Sequence, residues 1–182
     1  MKRKYRVILL GMLLCFWMGL IFYFSSQNGE ASSETSGRLV KTVIAVLKPD
    51  FYSLEKSEQE SFENLITFII RKGAHFSEYM ILGVLLFAFC WQWRPKLFLK
   101  DKAAKEKVSI SDISWQRIWL VSWIIGTLYA ASDEIHQVFS GGRSPQLRDV
   151  CIDSAGAAFG CLIVWLFAVM LKKCRKESEK FC

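Results

Sequence analysis

The chain of 182 residues is 52% hydrophobic and 14% aromatic, with its apolar positions gathered in long runs, which excludes an ordinary soluble domain and reads as an integral membrane protein. Its net charge of +7 does not point to nucleic acid: segments 1–6, 94–117 and 172–182 hold 16 Lys/Arg against 5 Asp/Glu and the remainder 8 against 12, an alternation with the apolar runs that follows the positive-inside rule. Of six cysteines, Cys15, Cys90 and Cys161 lie in apolar runs and Cys174 and Cys182 in the basic tail, so Cys151 has no partner at its level and a disulfide framework is excluded.

The expected fold is all-α, a single membrane domain over 1–182. It has four transmembrane helices at about 7–24, 73–93, 118–139 and 150–171, extracellular interfacial amphipathic helices, and both termini in the cytoplasm. Val7 to Phe24 is a run of 18 residues without a charge. That exceeds a signal-peptide core of roughly 7–15 residues, so it reads as a retained anchor running outward. Ser25 to Asn28 then forms a polar cluster at the outer mouth, with Ser26 and Gln27 as candidate ligand-binding residues, and the Ser/Glu/Gly stretch to Gly37 has the composition of a solvated turn.

Between Arg38 and Lys48, Val40, Val43, Ile44 and Leu47 recur at i, i+3, i+4 and i+7, the pattern of an amphipathic helix lying on the outer surface and ended by Pro49. Ser57 and Glu60 match a capping box, which predicts a second surface helix with Phe62, Leu65, Ile66, Ile69 and Ile70 as its apolar stripe. Gly73 permits a bend where this helix turns into the membrane. Tyr79 to Trp93 supplies 15 clean residues. At 1.5 Å each they cover about 22 Å, short of a hydrocarbon core of about 30 Å. The span therefore draws in His75 and Glu78, which share a face with Lys72.

Arg94 to Arg117 is a basic cytoplasmic loop without a chemical motif. The same length argument, applied to Ile118 to Ser132, pulls Asp133, Glu134 and His136 into the outer end of the third span. Gly126, Tyr129, Asp133, His136 and Gln137 form one face, with Glu134 about a quarter-turn away. Ser140 to Pro145 reads as a tight turn carrying Arg143, after which Asp149 and Asp153 open the fourth span one turn apart. Gly156 and Gly160 continue that stripe as a GxxxG pair that admits another backbone. Because the spans alternate in direction, all these polar groups fall at the outer end of the bundle.

RKGAHFSEYMILG, YAASDEIHQVFSGGRSPQLRDVCIDSAGAAFG and a first span ending in FSSQN together resemble the VanZ family of bacterial membrane proteins. The resemblance covers almost the whole chain and the order of its motifs, with SGGR standing where the family often has Pro-Gly-Arg. It implies an envelope role, since the family is named for a protein conferring low-level teicoplanin resistance. It implies no reaction and brings no catalytic residue with it.

Ionisable groups within membrane spans are costly and mark sites by default, and buried ion pairs break roughly even against apolar packing, so stability alone is a poor reason to keep so many. His75, Glu78, Asp133, Glu134, His136 and Asp153 are the candidate catalytic groups, able to divide acid and base work because like charges held close titrate apart. Lys72, Gln137, Arg143 and Asp149, with Ser26 and Gln27, are the candidate binding groups, Lys72 and Arg143 suited to a phosphate or carboxylate. His75, Glu78, Asp133 and His136 are also suitable ligands for a divalent metal, an alternative that no HExxH or similar spacing supports, and no cofactor is expected. The expected partners are membrane lipids and a lipid-linked cell-wall intermediate or lipoglycopeptide. A non-enzymatic binding protein and a small proton-coupled transporter are the competing classes, the second weakened by four spans with no inverted repeat.

Overall fold

The structure is a computed structural model that describes residues 3–26, 29–93, 110–141 and 146–178. Among these residues the chain is helical throughout, with no strand: α1 spans Arg3–Ser25, α2 Gly29–Leu47, α3 Lys56–Trp93, α4 Ile110–Gly141 and α5 Leu147–Ser178, and a short 3-10 turn, Phe51–Ser53, joins α2 to α3. Three helical stretches are long and apolar enough to cross a membrane, Arg3–Ser25, Lys56–Gln92 and Leu147–Leu171. They mark the chain as a membrane protein. α4, interrupted by Ser122, Thr127, Ser132, Asp133 and Glu134, is not among them. It nevertheless turns Leu120, Ile124, Leu128 and Ile135 outward, as α1 does Ile8, Met12 and Phe16 and α5 does Phe159, Leu166 and Phe167. So broad an apolar belt suits lipid rather than water as the surrounding solvent.

α3 is the axis of the molecule and packs on every other helix, most extensively on α5. Small residues let these two approach backbone to backbone. A Cβ added at Gly156 would meet the Phe76 carbonyl, one at Gly160 the Met80 carbonyl, and one at Gly83 the Ala157 carbonyl. The pairing of 76 with 156 and 80 with 160 makes α3 and α5 parallel. α4 is antiparallel to α5: the Trp123 indole donates to Ser154 Oγ at 3.0 Å and Gln146 N to Glu134 Oε1 at 2.7 Å. α1 runs with α4, since Tyr129 donates to the Met18 carbonyl at 2.7 Å and Gln137 to Ser25 Oγ at 2.7 Å. Against α3 it is antiparallel, Arg3 Nε reaching the Gln92 carbonyl at 3.0 Å and the Trp17 indole the Glu78 carbonyl at 3.0 Å. The start of α1, the end of α3, the start of α4 and the end of α5 therefore lie together at one end, where the rings of Phe87, Trp91 and Trp115 are stacked. The opposite end is polar.

Two local expectations change. α3 runs unbroken through Gly73 as one helix of 38 residues, about 57 Å long against a hydrocarbon core of about 30 Å. The cost of Gly relative to Ala inside a helix, about 1 kcal/mol, is small beside the packing of α2 on this protruding half. Val40 and Ile44 of α2 bury with Phe51 and Ile66, and Phe62 and Ile70 close around them. Leu47, Leu65 and Ile69 of the expected apolar stripes stay exposed. The other change is at helix starts. α2 begins at Gly29, taking in much of the stretch read as a turn. α3 begins at Lys56, with Gln59 N bonded to the Glu55 carbonyl and the Gln59 amide to the Leu54 carbonyl, both at 2.9 Å, so Ser57 lies inside the first turn rather than at the cap.

Candidate functional site

At the polar end, α1, α3, α4 and α5 each contribute groups to one chamber. α3 carries Lys72, His75 and Glu78 on one face, as the three- and four-residue steps require. Lys72 Nζ lies 2.5 Å from Asp149 Oδ2, both side chains about one-quarter exposed. His75 Nδ1 stands 3.7 Å from Glu78 Oε2, farther than a hydrogen bond. α5 supplies Asp149 in its first turn and Asp153 one turn deeper, the latter only 6% exposed.

α4 presents two faces to the interior, because it sits between α1 and α5. Asp133, 3% exposed, accepts from Gln137 Nε2 at 3.3 Å, and the same amide donates to Ser25 Oγ at 2.7 Å. Glu134, expected to point aside, is also buried and turns toward α5, taking the Gln146 N–H before the first turn of that helix. His136 turns toward α1 instead, its ring 4.0 Å from that of Phe22, and is close enough to Asp133 to act on it electrostatically.

Between these side chains lies a cavity lined by Lys72, His75, Glu134, Gln137, Asp149, Ile152 and Asp153. The space open to the centre of a water-sized sphere is about 10 Å³, about what one water requires. Asp133 and Glu78 stand outside this lining but within electrostatic range of Asp153. Three carboxylate oxygens here, Asp133 Oδ1, Asp149 Oδ1 and Asp153 Oδ1, are buried without a hydrogen-bond partner among the described residues. A buried polar atom in that condition costs about 1–3 kcal/mol, and more if it is charged. Among the described residues no three His, Cys, Asp or Glu side chains gather as a metal-binding group. What the arrangement offers chemically is a set of acceptors and proton carriers around a small, partly enclosed space.

Ser26 bonds its own helix at the Tyr23 carbonyl, 2.9 Å away, and not the chamber; Gln27 and Arg143 lie outside the described residues. Two further residues belong here: Ser25, which the sequence places in the polar cluster without a binding role, and Tyr79. Ser25 shares the buried stripe of α1 with Leu14 and Ile21, eleven and four residues earlier, a periodicity that would have placed it inward. Tyr79 is fully buried with no partner for its hydroxyl and lies within electrostatic range of Asp133 and Asp153. It stands seven residues after Lys72 and four after His75, on the same face.

Comparison with known proteins gives one match, to the family model described as VanZ/LLP1, over residues 10–168. No curated protein and no solved structure matches the chain significantly. The matched stretch runs from the middle of α1 well into the last helix and takes in the α3–α5 glycine contact together with every group of the polar chamber. By that extent of agreement, the chain belongs to the VanZ/LLP1 family.

Proposed function

We propose that the chain is a multi-pass protein of the bacterial cell membrane whose polar chamber, at the outer end of the bundle, binds or acts on a lipid-linked envelope substrate or a lipoglycopeptide, and so contributes to low-level teicoplanin resistance. The observation that carries this is the convergence of four helices on a chamber where Asp133, Asp149 and Asp153 each leave one buried oxygen without a hydrogen-bond partner among the described residues. A set of ion pairs kept only to hold helices together would be satisfied, because an unpaired buried charge costs about 3–5 kcal/mol. The proposed topology is four crossings with both termini cytoplasmic. It is supported by the alternating directions of α1, α3, α4 and α5 and by the basic excess in segments 1–6, 94–117 and 172–182.

The deciding experiment measures teicoplanin susceptibility in a susceptible Gram-positive host, together with membrane abundance. Glu78→Gln, His136→Gln and Asp153→Asn preserve volume and polarity and remove the titrating group. Each is expected to abolish resistance with near-normal membrane levels. Depletion from the membrane with full activity per remaining molecule would reduce these residues to helix fasteners. Turnover of lipid-linked cell-wall intermediates by the purified protein separates an enzyme from a binding protein. Impermeant thiol labelling of intact cells in a cysteine-free background tests the topology: Glu55→Cys is expected to react and Ala104→Cys to be protected.

A further inference from the structure

We infer that the ligand group seated in the chamber is a primary ammonium. This rests on the reading of the chamber as a ligand site, and it assigns the chemistry of what enters. Glu78, Asp133, Glu134, Asp149 and Asp153 meet there against Lys72, whose ammonium already lies on Asp149. Of these carboxylates Glu134, Asp149 and Asp153 line the cavity, with Lys72, His75 and the Gln137 amide as the donors among the described lining residues. Gln137 spends its amide on Ser25 and Asp133, and Glu134 is held by Gln146 N. A phosphate or carboxylate entering this space would meet carboxylates and no uncommitted cation among the described lining residues.

The second observation is independent of the count of acids. Asp153 is 94% buried, lines the cavity, and leaves Oδ1 without a partner; Asp149 Oδ1, also unpartnered, sits one turn above it on the same face of α5. An ammonium brings three donors and no acceptor, the complement of that lining, and forms charge-assisted bonds of about 2.7–2.9 Å to carboxylates. Its size also fits, since the cavity admits about one water-sized group. The pairing of Lys72 with Asp149 is the same chemistry made by the chain itself at the cavity edge. A quaternary ammonium has no N–H to give and is recognised by aromatic faces, and the described lining residues include no Phe, Tyr or Trp. A divalent metal would need several oxygen ligands gathered at about 2–2.6 Å, and no such group forms among the described residues.

The test titrates the full-length protein, in phosphatidylcholine nanodiscs with empty nanodiscs as the blank, with octylammonium, octyltrimethylammonium, octyl phosphate and calcium chloride, followed by calorimetry. Octylammonium is expected to bind saturably, at least about tenfold more tightly than octyltrimethylammonium, while octyl phosphate shows no heat beyond the blank. Loss of a charge-assisted bond in Asp153→Asn is expected to weaken octylammonium by about tenfold or more. Absence of saturable octylammonium binding to the wild type, a preference for octyl phosphate, equal binding of the trimethyl probe, or displacement of octylammonium by calcium would each overturn the assignment. So would wild-type affinity in Asp153→Asn. The ranking of probes on the unaltered protein decides the matter even where the variant fails to fold. If the three substitutions abolish resistance yet octylammonium does not bind, the ligand class falls and the functional chamber stands; if octylammonium binds and resistance survives, the proposed function falls instead.

Discussion

The two ends of the bundle use α3, α4 and α5 alike but fill the space between them with opposite chemistry. At the aromatic end Phe87, Trp115 and Cys161 are buried, with Trp91, Trp119 and Trp165 packed around them and the rings of Trp91 and Trp115 stacked at 3.7 Å. The few polar atoms left unpartnered there, Trp119 Nε1 and Ser122 Oγ, are neutral and comparatively cheap to bury. At the polar end the unpartnered atoms include carboxylate oxygens on Asp133, Asp149 and Asp153. Packing accounts for the first end without remainder. It does not account for the second, where the same volume filled with apolar side chains would hold the helices at least as well.

That contrast is most severely tested by Gly160→Leu, which places a side chain against the Met80 carbonyl in the α3–α5 contact on which both ends depend. Destabilisation of about 3 kcal/mol or more is expected, seen as a loss of the folded protein from membranes and of cooperative thermal unfolding in detergent. A near-normal variant would show that α3 and α5 are not held at backbone distance. Trp115→Ala should cost about 3–5 kcal/mol through the cavity it leaves, lowering the unfolding temperature while the surviving molecules keep full activity. If activity per molecule falls with it, the two ends are coupled and the division drawn between them fails.

Smaller effects sharpen the comparison from the polar side. Asp153→Asn removes the titrating group with little change of shape, so its unfolding free energy should stay within about 1 kcal/mol of the wild type even as resistance disappears. A large loss of stability would assign Asp153 to the scaffold. The Lys72–Asp149 pair is expected to show the smallest effect, a coupling of about 1 kcal/mol in a double-mutant cycle of Lys72→Met and Asp149→Asn, since both side chains keep contact with solvent. A coupling several times larger would make this pair a latch holding α3 to α5.

The sequence by itself determined the all-helical membrane character and the polar level of the bundle. Apolar run lengths and the positions of basic segments are one-dimensional signals, and the shortness of the clean runs at Tyr79 to Trp93 and Ile118 to Ser132 suffices to draw Glu78 and Asp133 inside. Only the tertiary structure decided which face of each helix looks inward. Glu134 is buried because α4 is flanked on two sides, a fact no single helical wheel contains. His136 was diverted by the Phe22 ring, and Ser25 rather than Ser26 met Gln137 because α1 stays helical to its last turn. Gly73 does not break the helix, and α2 packs along Phe62, Ile66 and Ile70 of a continuous α3. Side-chain direction depends on which neighbours arrive and from where, and that information exists only once the helices have packed.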